Sequence, residues 1–232
     1  GRGKAPNAGG ISNSLLFRLS ISGQDAHGGP LGVPLYGSQL QTRAIFGKTA
    51  EGGVDVNYTY ITGTFPDGET YELRVPTFTL INLYAGPVAG MMVSPRIAPP
   101  VFGMGLLEAI PEATILALQD INDADGDGIS GKANYVWNIF EKRATIGRFG
   151  WKANNPSVLQ QVAAAYNEDM GITTFLFPRD NSYGQSQQDN LNDDPELTDS
   201  LLYATTFYMQ TVAVPARRNV QDPEVIRGKQ LF

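Results

Sequence analysis

"VDVNYTYITGTFPDGETYELRVPTFTLINL", residues 54–83, decides how the first part of this chain folds. Two runs rich in Val, Tyr, Thr, Ile and Phe flank Pro66, Asp67 and Gly68. Branched and aromatic side chains suit a pleated, half-buried surface. Between the runs, Pro fixes one backbone dihedral and Gly supplies a positive φ, so the segment reads as a β-hairpin. Upstream, "SLLFRLSIS" (14–22) alternates, with Leu15, Phe17, Leu19 and Ile21 on one face, and reads as another strand. "GQDAHGGPLGVPLYG" (23–37) is a Gly/Pro loop, and "SQLQTRAIFG" (38–47) a short strand or irregular segment. Residues 14–85 are thus expected to be β-rich, behind an irregular, Gly-rich lead-in at 1–13.

The pattern changes after "SPRIAPPVFG" (94–103). "GMGLLEAIPEATILALQD" (103–120) reads as helix in two pieces broken at Pro111. "NPSVLQQVAAAYNEDMG" (155–171) is the clearest helix: Asn155 can cap, Pro156 suits the first turn, and Gly171 ends it. Val158, Val162, Tyr166 and Met170 recur every four residues along it. "DDPELTDSLLYATTFYMQTVAVP" (193–215) is another, with Asp194 as the expected cap and Pro195 at its first position. A last helix follows Asp222 and Pro223, in "EVIRGKQLF" (224–232). The fold class expected is α+β, a β-rich N-terminal part followed by a helical part. The divisions are 1–98, 99–221, and 222–232 as the opening helix of a further domain.

Composition narrows the chemistry. The net charge of -6 and a pI near 4.8 argue against nucleic acid or an anionic membrane as the main partner, since both call for basic patches. No run approaches the roughly 18 apolar residues of a membrane span. There is no Cys and one His, His27. Disulfides, thiolate chemistry, multi-His metal sites and covalent haem attachment within these residues are therefore excluded. Carboxylates and hard cations remain.

"DADGDGISG" (123–131) places Asp123, Asp125 and Asp127 at alternate positions among glycines. Three carboxylates this close repel one another, and Ca²⁺, which takes six to eight oxygen ligands, relieves that repulsion. The stretch resembles the first half of an EF-hand loop, but Ile129 comes one position early and Asn134 stands where the closing Glu belongs. A single Ca²⁺ loop completed by Asp120, Asn122, a backbone carbonyl or a distant residue is the reading, against a plain Asp/Gly turn. Elsewhere, Trp151 and Trp137 read as core tryptophans and His27 as a structural loop residue. Met91 and Met92 can ligate a soft metal or simply pack. Arg96, Arg217 and Arg218 can pair with carboxylates, and Glu108 is either a buried carboxylate or a surface one.

"QLQTRAIFG" (39–47), "DGETYELRVP" (67–76), "SPRIAPPVFGMGLLEAIPE" (94–112), "DADGDGISGKANYVW" (123–137), "IGRFGWKA" (146–153), "EDMGIT" (168–173) and "AVPARR" (213–218) follow one another in a characteristic order. Together they resemble the bacterial di-haem c-type oxidoreductases, described as di-haem peroxidases or thiol-oxidoreductase-like proteins. The resemblance implies a scaffold related to the di-haem cytochrome c peroxidases. It also implies that "VIRGKQLF" opens a truncated cytochrome c domain and that "GRGK" follows a first haem motif. The chain then looks like the middle of a longer protein, with haem c attached in the parent outside these residues.

On that resemblance, Trp151 is an inter-haem electron relay, and Met91, Met92 and Arg96 are haem contacts. Asp120, Asn122, Asp123, Asp125 and Asp127 staple the haem interface through Ca²⁺. The partners implied are a small oxidant such as a peroxide and an electron donor, in a periplasmic or exported parent. Relatives often carry a cysteine pair where this chain has "RDNSYGQSQQDN" (179–190), so the loop here must hold itself by other means. Two other readings stay open: a Ca²⁺-stabilised extracytoplasmic binding module without redox activity, and a carboxylate hydrolase, which needs two facing carboxyls in a cleft.

Overall fold

The computed structural model describes residues 15–231. The lead-in at 1–13 and Phe232 lie outside them. The N-terminal part holds five strands: β1 (Leu15–Gln24), β2 (Pro30–Leu31), β3 (Gly53–Thr64), β4 (Thr70–Ile81) and β5 (Met92–Ile97). β1 is flanked by β2 and β5, both antiparallel to it, while β3 and β4 form the hairpin expected from the sequence. The hairpin register runs from Gly53↔Ile81 to Thr64↔Thr70. Its turn closes with Phe65 N–H donating to Glu69 O at 2.8 Å, and Gly68 takes φ 92°.

Alternation then decides what is buried. Phe17 and Leu19 of β1 meet Val54 and Val56 at the base of the hairpin, with Val33, Tyr36 and Leu40 from the intervening loop. Phe78 and Leu80, opposite Val56 and Val54 on β4, pack against the same core. Further out the hairpin leaves this core, and Ile61 and Leu73, paired across it, are exposed.

The second part contains α1 (Met104–Glu108), α2 (Glu112–Ala117), β6 (Tyr135–Asn138), β7 (Arg143–Ile146), α3 (Val158–Met170), α4 (Asp199–Thr211) and α5 (Pro223–Leu231). Pro111 separates α1 from α2, as the sequence implies. The core here is Met104, Phe149, Val158, Val162, Ala163, Leu176 and Leu202. α5 follows Asp222, whose carboxylate accepts from Glu224 N–H at 2.9 Å.

Three expectations shift by a few residues, each for a local reason. The α3 cap is Ser157, which accepts from Gln160 N–H, because Asn155 is committed to a backbone bridge with Phe149 and a bond to Gln161. Met170, at the last turn of α3, lies beyond the core and is exposed. α4 starts at Asp199 because Asp194 and Glu196 instead accept hydrogen bonds from Thr173. The β6–β7 hairpin lacks a Gly/Pro turn signal, and the sequence reading passes over it.

The two parts meet at the C-terminal end of α3. The Glu168 carboxylate pairs with Arg18 of β1 and accepts from Ser38 Oγ. Its backbone carbonyl, which has no helical partner this near the helix end, accepts from the side-chain amides of Gln39 (3.0 Å), Gln41 (2.7 Å) and Asn181 (3.3 Å). The 179–190 loop is held without a covalent bridge. Lys48 Nζ donates to the carbonyls of Ser186 (3.3 Å) and Gln188 (2.8 Å), and the Arg179 guanidinium lies over the Tyr183 ring.

Candidate functional site

Trp151 sits on the loop after β7. That loop folds back so tightly that a Cβ on Gly147 would stand 1.8 Å from the Ala153 carbonyl, so only glycine fits there. The indole is 63% exposed rather than buried. Its Nε1–H donates to the carbonyl of Ile97, the last residue of β5, and that bond fixes the ring at the junction of the two parts. The reading of Trp151 as a core residue is corrected: its ring faces outward.

Beside it lies a cleft of about 130 Å³ between β1/β5 and α3, lined by Arg18, Gln39, Arg96, Trp151, Gln161 and Glu168 among others. Leu16 and Arg96 are cross-strand partners, and so are Arg18 and Ser94, which places both arginines on the sheet face opposite Phe17 and Leu19. Arg18 is neutralised by Glu168. Arg96 donates through Nε to Ser94 Oγ at 3.3 Å, and among the described residues no carboxylate stands within ion-pair distance of it. Burial lowers the Arg96 pKa from its ordinary value, nearby Arg18 lowers it further, and Glu168 opposes both. The cleft therefore offers, beside an exposed indole, a guanidinium that makes no ion pair among the described residues.

The two methionines are not brought into this cleft. Met91 packs against the N-terminal core. Met92 is half-exposed on β5, opposite Ser20 and four residues from Arg96. His27 stacks on Trp137 with ring centroids 4.0 Å apart and planes 6° apart, so the one histidine ties the Gly/Pro loop to β6. Glu108 is a structural carboxylate: it accepts from Val158 N–H at 2.7 Å and from the Gln210 amide, binding α1 to α3 and α4.

The acidic stretch forms a closed loop, pinned by reciprocal backbone bonds between Asp120 and Gly131 at 3.0 and 2.8 Å. Within it, carboxylate oxygens of Asp120, Asp123 and Asp125 lie within 4.8 Å of one another. Asp127 is exposed and outside that group, and Asn122 is exposed. Each Asp also caps a backbone N–H: Asp120 that of Ala124, Asp123 that of Gly128, Asp125 that of Asp127, and Asp127 that of Ile129. These bonds shape the loop by themselves.

Reading residue by residue does not find Arg18, Gln39, Gln161 or Glu168 as neighbours of Arg96 and Trp151, because strand pairing brings Arg18 beside β5 and α3 supplies Glu168, 150 residues along the chain from Arg18. The one sequence signal is alternation, which turns Arg18 away from the face of Phe17 and Leu19.

No helix among the described residues is long and apolar enough to cross a membrane. No curated protein and no solved structure matches the chain. A family model described as "Di-haem oxidoreductase, putative peroxidase" matches residues 17–232, nearly the whole chain. The chain thus belongs to the di-haem oxidoreductase family.

Proposed function

We propose that this chain is the central scaffold of a di-haem c-type oxidoreductase that passes electrons from a donor to a peroxide or another small oxidant. The chain has no Cys for covalent attachment, so its residues fit the second layer around haem rather than the attachment motif. Their chemistry suits that role, since haem presents flat apolar faces and two carboxylates. The exposed apolar side chains Leu106 and Leu107 of α1, Leu201, Phe207 and Tyr208 of α4, and Val214 suit the faces. The Arg96 guanidinium, which makes no ion pair among the described residues, suits a carboxylate. When bound, haem c supplies the one-electron chemistry.

The observation that carries the reading is the exposed, fixed indole of Trp151 at the mouth of the arginine cleft. We assign Trp151 as an electron relay, with its hydrogen bond to Ile97 holding the ring in place. Arg96 neutralises a propionate, and Met92, half-exposed on β5, is better placed as a haem contact than Met91, which the core retains. Asp120, Asp123 and Asp125, with Asn122 and Asp127 nearby, hold Ca²⁺ and brace the loop. Because c-type haem is attached outside the cytoplasm, the parent is periplasmic or exported.

The test is Trp151→Phe in the haem-loaded gene product. Phe keeps an aromatic ring but loses both the indole and the bond to Ile97. Peroxide-dependent turnover should fall at least about tenfold, roughly 1.4 kcal/mol in the barrier, with haem content unchanged. Unchanged turnover would remove Trp151 from the electron path.

A further inference from the structure

The β3–β4 hairpin reaches beyond the N-terminal core as an arm with two edges, and the edges differ. The turn bond from Phe65 N–H to Glu69 O sets the phase of the ladder. Hydrogen-bonded and non-hydrogen-bonded pairs alternate from there. Thr62↔Glu72, Tyr60↔Arg74 and Tyr58↔Pro76 are thus non-hydrogen-bonded pairs, whose backbone groups point away from the partner strand. Pro76 agrees with this phase, since it has no N–H to give the ladder.

On β4 the outward edge is carried by Glu72, Arg74 and Pro76: two charges and a residue without a donor. These are the means by which natural sheet edges are kept from pairing. On β3 the outward edge includes Tyr60 and Thr62, within residues 57–64, which hold no charge and no proline. Among the described residues, β4 is the one strand paired with β3, and no backbone group bonds to Tyr60 or Thr62 from the other side. The side chains point the same way. Ile61 and Leu73 are cross-strand partners on the face opposite Val54 and Val56, and they are 56% and 55% exposed.

We infer that β3 pairs edge to edge with β3 of a second copy of this chain, antiparallel across a two-fold axis. With Ile61 on the axis, Tyr60 exchanges ladder bonds with the partner's Thr62, and Thr62 with the partner's Tyr60. Leu73, Ile61, the partner's Ile61 and the partner's Leu73 then form one apolar row across the joined sheet. Charge selects a second copy at this edge. Two chains of net charge -6 repel, and an uncharged strand is where they can meet without like charges facing each other. Residues 57–64 span about 27 Å, so the contact is small and the dimer reversible. It uses no residue of the Trp151 cleft and is independent of the redox role.

The experiment is sedimentation velocity of the gene product containing this chain, from about 1 to about 200 µM, where a reversible dimer with a Kd of about 100 µM or tighter is expected. Tyr60→Pro removes an outward N–H on each side of the axis and repeats on β3 what Pro76 does on β4, so the hairpin keeps its own ladder. It should weaken the dimer at least about tenfold. Thr62→Lys places a charge on the same edge, opposite Glu72, and should do likewise, which keeps the test informative if Tyr60→Pro does not fold. Glu72→Ala, on the other edge, should leave the dimer unchanged. A dimer indifferent to both β3 variants would overturn the inference. A monomer throughout the range would do the same, and slow exchange of the Tyr60 and Thr62 amides in that monomer would show that the polypeptide covers its own edge.

Discussion

At the scale of single residues, Glu51 makes a sharp statement about pH. Its carboxyl is raised from 4.5 to about 7 by burial, against a favourable bond from the Gln41 N–H. Between those values the folded chain holds a proton that the unfolded chain releases. Stability therefore falls as pH rises through that window, and the penalty is complete above pH 7. Glu51→Gln removes the titration. The variant should match the wild type near pH 4 and exceed it by about 1–2 kcal/mol at pH 8, after allowing for screening by solvent. Chemical denaturation at the two pH values checks this, and equal differences at both would show that Glu51 does not titrate in the window. The sequence "TAEGG" around Glu51 carries no hint of its burial. Trp151 is the opposite case: its aromatic character is plain in the sequence, but only the tertiary bond to Ile97 reveals an exposed, pinned ring.

Elements were legible where local chemistry and burial agree. The β3–β4 hairpin announces itself through alternation and a Pro-Asp-Gly turn, and Pro111 divides α1 from α2. Where side chains are recruited across the fold, local signals mislead. Asn155, Asp194 and Pro195 look like helix starts, yet Asn155 is spent on Phe149 and Gln161, and Asp194 on Thr173. The acidic loop is the element whose own prediction is cleanest. Its oxygens already converge to within 4.8 Å, with Gly126 and Gly128 at φ 75° and 83° bending the chain around them. Millimolar Ca²⁺ should raise the melting temperature by several degrees, as linkage to a site occupied about a hundredfold above its Kd implies. Asp123→Asn should abolish that rise without lowering the melting temperature in chelator by more than about 2 °C. A Ca²⁺ response that survives the substitution would place the ion elsewhere.

On the scale of the molecule, an α+β chain joins a β-rich part to a helical part through Glu168 and its ring of donors. That junction holds the Arg18–Arg96 face and Trp151 beside one another. The overall order of β first and α second could be read from periodicity. The cleft could not, since its residues come from β1, β5, the loop after β7 and α3. The electron-transfer role proposed above would account for an aromatic ring fixed outward there beside Arg96, which makes no ion pair among the described residues.

The most direct measurement is the reduced pyridine haemochrome of the gene product containing this chain, made with c-type maturation machinery and counted per polypeptide. The account predicts two covalent haems. A product with no covalent haem would contradict it.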